Sequence, residues 1–213
     1  MRRVRTYLVA TSVLVLLGSG VLSAGPAPRL RVDLAFSGRQ MPHLLEATAV
    51  KEATIIWARY GVELGTCGPD SPGRDGVITI NVVLADRQED PLPDNALGSI
   101  VFQDGAPGSE IRMYPDAIAA LVAEATVMER SEREWPTILR HVVLGRVLGR
   151  ALAHEIGHFL LRSRGHSPIG LMRANQSIAD LAAPERFRFF LSPDEVARLV
   201  SSTSAVSGTR VSR

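Results

Sequence analysis

Residues 154–172 read HEIGHFLLRSRGHSPIGLM, and the organisation of the whole chain is best judged from this stretch outward. His154 and His158 lie four apart around Glu155, and His166 follows eight residues later. Ser167-Pro168 and Gly170-Leu171-Met172 come directly after. On an α-helix, residues four apart share one face and sit about 6 Å apart along the axis. Two imidazole nitrogens at that spacing can converge on one Zn²⁺ at about 2.0–2.1 Å. Glu155 turns away from direct coordination but reaches a water on the metal. Two neutral nitrogen donors beside a carboxylate are the parts that metal-assisted hydrolysis requires.

A zinc held by three protein ligands keeps its fourth position for water. The helix cannot bring a third side chain to the same point, so that ligand must lie beyond it. Gly165 is expected to take the left-handed backbone that lets the chain double back, which makes His166 the third ligand. Asp180 and Glu185 are the alternatives, and either would give a different class of site. Gly170 permits a tight turn, and Met172 is placed as an apolar floor beneath the metal. The bland alternative is a pair of core histidines with satisfied hydrogen bonds; the third histidine and the Gly-Leu-Met turn weigh against it. His141 lies thirteen residues before His154, roughly 140° around the helix, and cannot share the metal. His43 reads as a surface residue at the start of an earlier helix.

Upstream, RLRVDLAF (29–36) alternates apolar and polar residues and reads as a half-buried strand. HLLEATAVKEATIIWARYGVEL (43–64) carries Leu45, Ala49, Ala53, Ile56, Trp57 and Tyr60 at helical spacing and stops at Gly61. A Pro/Gly-rich loop covers 65–76, and VITINVVL (77–84) is a β-branched run suited to an interior strand. Leu97–Phe102 and Glu110–Tyr114 flank a turn-rich DGAPGS, giving two strands with the first near a sheet edge. Residues 116–130 read as helix, 138–161 as the long apolar helix bearing the motif. Ser192, Pro193 and Glu195 form a capping box that opens a last helix. The order predicts an α+β domain over 29–200: a small, mostly parallel twisted sheet, a long site-bearing helix, a second packing helix and a C-terminal helix. The polar tail 201–213 is expected to be disordered.

The first 24 residues have a basic start (Arg2, Arg3, Arg5), an apolar centre and small residues near Ser23-Ala24-Gly25. This is the layout of a secretory signal peptide, with a retained N-terminal membrane anchor as its rival. The expected location is therefore secreted or in the cell envelope. The full chain carries 24 basic and 22 acidic residues. Removal of 1–24 leaves 21 against 22, so the basic isoelectric point implies no nucleic-acid or anionic-membrane partner. Cys67 is the only cysteine, so no intramolecular disulfide can form. A monomer that takes a peptide or protein substrate is the expected state.

The pattern HE-x-GH-x-L, followed by His-Ser and a Leu-Met turn, resembles the metzincin zinc endopeptidases, nearest their matrixin-type (matrix metalloproteinase-like) branch. ARYGVEL, VITINVVL and NALGSIVF resemble the upper part of such a domain. The chain departs from the family by a two-residue expansion: arginine stands at 164, where the third histidine usually falls, and leucine at 161 instead of glycine. No tyrosine follows the methionine, and no cysteine-switch propeptide is expected, since Cys67 reads as lying inside the domain. The resemblance implies zinc held by His154, His158 and His166, with Glu155 as general base and Met172 in the methionine turn. It also implies an extended substrate pairing with the edge strand Gly98, Ser99, Ile100, Val101 and Phe102. A reading of another class is a secreted or anchored binding module that keeps zinc as a structural staple.

Overall fold

The protein is described from a computed structural model, covering residues 30–69, 71, 73–87, 95–127 and 130–208. The N-terminal segment read as a signal peptide or anchor lies outside the described residues.

Five strands form one sheet: β1 (Leu30–Gly38), β2 (Val62–Cys67), β3 (Val77–Leu84), β4 (Gly98–Gln103) and β5 (Ala106–Met113). Their order is β2-β1-β3-β5-β4. All neighbours run parallel except β4, which pairs antiparallel with β5 and forms an outer edge. The expected α+β organisation with a small, mostly parallel sheet is the one observed.

Two details differ from the expectation. VELGTC is a strand, not the approach to a loop, because β1 supplies a parallel partner from Leu30↔Val62 to Ala35↔Cys67. That partner lies far away in the chain, where no local pattern announces it. β1 is also interior, so Asp33 and Ala35 are buried along with Val32 and Leu34.

α1 (His43–Ala58) and α3 (Thr137–Leu161) pack together over the sheet. Small residues on α3 set their closeness. A Cβ added to Gly149 would lie 2.4 Å from the Ala49 carbonyl oxygen, and one on Gly145 would lie 2.7 Å from that of Leu45. Farther along, the Trp57 indole N–H donates to the Ala153 carbonyl at 3.1 Å. Glycine costs about 1 kcal/mol against alanine within a helix; here the close approach repays it with complete burial of Ile56 and Trp57.

α2 (Pro115–Ala123) stops seven residues short of the expected helix, and the chain turns into a two-stranded ribbon, β6 (Thr126–Val127) with β7 (Arg130–Ser131). α4 (Ile178–Ala182) is a short helix capped by the Ser177 hydroxyl, which accepts from the Asp180 N–H. α5 (Pro193–Gly208) opens with the expected capping box: Ser192 N–H donates to Glu195 Oε2 at 2.7 Å, and Glu195 N–H to Ser192 Oγ at 3.4 Å. The helix continues through 201–208, residues that composition marked as disordered. Among the described residues, no helix is long and apolar enough to cross a membrane.

Segment 178–189 is fastened to the helix pair by a buried ion network. Arg150, fully buried on α3, donates through Nε to Glu52 on α1 at 2.8 Å. Its remaining N–H groups reach the carbonyls of Asp180, Leu181 and Glu185 at 2.6–3.1 Å. Arg186 donates to the other Glu52 oxygen at 2.8 Å, and Arg150 stacks 4.4 Å from the Phe189 ring centroid.

Candidate metal centre

The C-terminal half of α3 places His154, Glu155 and His158 on the face that looks toward β4, and the chain then leaves the helix. The left-handed residue at this exit is Arg162, with φ 50° and ψ 44°, not Gly165. The reversal falls directly after the last helical residue, where the helix C-terminal geometry demands it, and Gly165 keeps a negative φ. Ser163 then closes back on the helix, its N–H donating to the His158 carbonyl at 3.2 Å.

His154, His158 and His166 come together, with one potential ligand nitrogen from each lying within 4.8 Å of the others. No fourth His, Cys, Asp or Glu among the described residues joins them. Asp180, an alternative third ligand, instead faces Arg188 at 3.2 Å. Glu185 is held through its backbone by Arg150.

Backbone carbonyls only accept, so Nδ1–H of His154 donates to Leu171 O (2.8 Å) and Nδ1–H of His158 to Ser163 O (2.6 Å). In neutral rings this leaves both Nε2 atoms unprotonated. Burial holds the His154 pKa down to about 4 and lowers that of His158, so both rings are neutral at pH 7. Yet the two Nε2 atoms stand 3.1 Å apart. Two lone pairs at that distance repel unless a cation sits between them. Two nitrogens bound tetrahedrally to zinc at about 2.0–2.1 Å would be roughly 3.3 Å apart. The donor set therefore fits zinc.

His166, exposed, is anchored through its neighbours. Ser167 N–H donates to Met172 O at 2.8 Å, and the Ser167 hydroxyl donates to buried Glu195. The turn between them needs Gly170: its φ is +79°, and a Cβ would lie 2.3 Å from the Phe190 carbonyl oxygen. Met172 is buried beneath the helix, where a Cβ on Gly157 would fall 2.3 Å from its sulfur. The floor expected of Met172 is thus against Gly157, one residue before the second histidine. Glu195, Gln176 and Trp57 also support the site: Glu195 holds Ser167, Gln176 donates to the Gly170 carbonyl, and Trp57 packs beside Gly157. Only Glu195 had a local signal, as a helix cap, and its second oxygen serves the distant Ser167.

A cleft of about 1060 Å³ opens above the histidines. Gly98, Ser99, Ile100 and Phe102 of β4 form its upper wall, whereas Val101 points outward and is 54% exposed. Ala120 and Leu121 of α2 and the segment from Arg173 to Gln176 close the other side. Glu155 lines the cleft with no hydrogen-bond or ion-pair partner among the described residues, its Cγ 3.0 Å from where a Cβ on Gly98 would lie. Burial alone pushes its pKa up to about 8.

These shifts give the metal-free protein a definite pH dependence. Native Glu155 keeps a proton that the unfolded chain releases above pH 4.5, so stability falls as pH rises toward about 8. His154 acts in the opposite sense: native His154 lacks a proton that the unfolded chain binds below 6.5, so stability falls as pH drops toward about 4. Between pH 6.5 and 8 the Glu155 effect outweighs that of His154. Urea titrations of the metal-free chain should lose on the order of 2 kcal/mol across that window. Glu155→Gln should flatten the slope; an unchanged slope would remove Glu155 as its source.

No protein-family model matches the sequence, and neither does any curated protein. Among solved structures the chain is similar to archaemetzincin from Methanopyrus kandleri, at 15% identity and a TM-score of 0.48. The match covers 84% of this chain and 99% of that one. A superposition this loose carries no chemistry from one protein to the other.

Proposed function

We propose that this chain is an exported zinc-dependent endopeptidase that hydrolyses peptide bonds in extended segments. The observation that carries the reading is the pair of opposed Nε2 lone pairs of His154 and His158, with His166 alongside. The cleft they face also holds the carboxyl group of Glu155, which has no partner among the described residues. His154, His158 and His166 would hold the zinc. When bound, it would supply Lewis-acid polarisation of the scissile carbonyl and acidify a water molecule.

The remaining work falls to the chain's own groups. Glu155 takes a proton from the attacking water as the oxygen adds to the carbonyl carbon. It hands that proton to the departing amine nitrogen as the C–N bond breaks. The outer edge of β4 offers backbone groups to an extended peptide. Apolar Ala120 and Leu121 give one side chain a place to settle. The His-Ser step and the buried methionine turn support a finer placement among the metzincins, near the matrixin-type branch. Export is supported by the composition of residues 1–24.

The test is digestion of unfolded casein by zinc-loaded, chelated and zinc-restored protein. Cleavage should appear, vanish and return in that order. One zinc bound per chain without any cleavage would instead identify a binding module with a structural metal.

A further inference from the structure

The loop that separates the second and third histidines carries a group the hydrolytic chemistry does not use. Ser163 is pinned to α3 through its backbone, its carbonyl accepting from the His158 ring, while its hydroxyl accepts from the loop N–H of Gly165 at 3.1 Å. Arg164, between these anchors, projects across the mouth of the cleft. Its guanidinium donates to the Phe102 carbonyl at 3.1 Å and lies 4.9 Å from the Phe102 ring centroid.

The carbonyl it meets belongs to the free side of the edge strand. Asp104 and Gly105, both at positive φ, make the two-residue turn of the β4–β5 hairpin, so Gln103 and Ala106 form the closing pair. Phe102 then sits opposite Pro107, which has no N–H to offer. Its backbone groups face away from β5, toward whatever strand is added. An extended substrate reaching this point meets Arg164 stacked on the ring of the residue with which it would pair.

The guanidinium is also uncommitted in charge. Two other arginines along the cleft have acidic neighbours: Arg150 pairs with Glu52 at 2.8 Å, and Arg173 donates to the Asn175 carbonyl and lies 4.0 Å from Asp180. Among the described residues no carboxylate pairs with Arg164. A planar fork of five donors, oriented by stacking and with most donors unused, matches a carboxylate in two-point contact.

We propose that Arg164 is a specificity-determining residue: held over Phe102 at the edge-strand end of the cleft, it selects an acidic side chain on that flank of the scissile bond. The proposal rests on the peptidase reading. Substrate that pairs with the Phe102 carbonyl displaces the arginine by only a side-chain rotation, so the same subsite is selected in either arrangement.

The experiment is a peptide-pool digestion by zinc-loaded wild type, Arg164→Ala and Arg164→Glu, scored as residue enrichment at each subsite. The wild type should enrich Asp and Glu roughly three- to tenfold at one subsite, the range of a partly exposed, oriented ion pair. Arg164→Ala should abolish that enrichment, and Arg164→Glu should replace it with Lys and Arg at the same subsite. A purely structural role for the loop would change the rate without reversing the preference. Cleavage by all three proteins with one unaltered profile overturns the proposal and leaves the peptidase reading intact. If none of the three cleaves any peptide while zinc is bound, the peptidase reading itself fails and this proposal falls with it.

Discussion

Replacing Glu155 with glutamine is expected to lower peptide hydrolysis by roughly 10²–10⁴-fold, the range attributed to a positioned proton-transfer group. Zinc should remain bound at one per chain, because the three histidines are untouched. The amide matches the carboxylate in shape and lines the same cleft, but it cannot accept a proton from water. Glu155 has no hydrogen-bond or ion-pair partner among the described residues, so the substitution breaks none there. Its only electrostatic consequence in the metal-free state is relief of a buried acid whose pKa stands near 8. Stability and activity should therefore move in opposite directions: the variant melts at or above the wild-type temperature at pH 8 while its turnover collapses. Paired measurement of casein hydrolysis and thermal unfolding checks both halves. Activity within a few-fold of wild type would end the assignment of Glu155 as base.

The largest effect on stability is expected at a residue outside the cleft. Glu52→Ala removes the partner of Arg150, a guanidinium with no solvent exposure, and one of the partners of Arg186. Breaking a buried pair from one side typically costs about 3–5 kcal/mol, because the surviving charge is left without compensation. For a domain of this size that corresponds to a melting temperature lowered by roughly 10 °C. Burial already presses the Arg150 pKa below its ordinary value, with Glu52 opposing the shift. The double replacement Glu52→Met with Arg150→Met should recover only part of the loss: no Arg150 charge is left buried, but the carbonyls of Asp180, Leu181 and Glu185 lose their donor and Arg186 loses its carboxylate. A Glu52→Ala protein that melts with the wild type would show that the three carbonyls around Arg150 suffice without the carboxylate.

What could be read from the sequence follows the range over which each interaction acts. The three histidines and Glu155 span thirteen residues, and helical spacing alone brings two ligands and the base to one face. The capping box at Ser192 and Glu195 is likewise local. β3 declared itself through a run of β-branched residues, and the β4 edge through its turn. By contrast, β2 exists because β1 pairs with it. The early stop of α2 depends on a ribbon formed after Ala125. The left-handed exit at Arg162 is set by where the helix ends, which an arginine does not advertise. The supports of the third histidine, Glu195 on Ser167 and Gln176 on the Gly170 carbonyl, join residues brought together only by folding. So does the contact between Arg164 and Phe102, 62 positions apart.

Because His154, His158 and His166 all come from one short segment, an unfolded chain already carries them within easy reach of each other. The denatured ensemble can thus compete for the ion, and such competition subtracts from the stabilisation that a tightly bound ligand confers on the native state. A saturating dose of zinc should raise the melting point by less than its affinity for the folded protein alone would suggest. What folding adds is orientation of the rings by Leu171, Ser163 and the buried methionine below them.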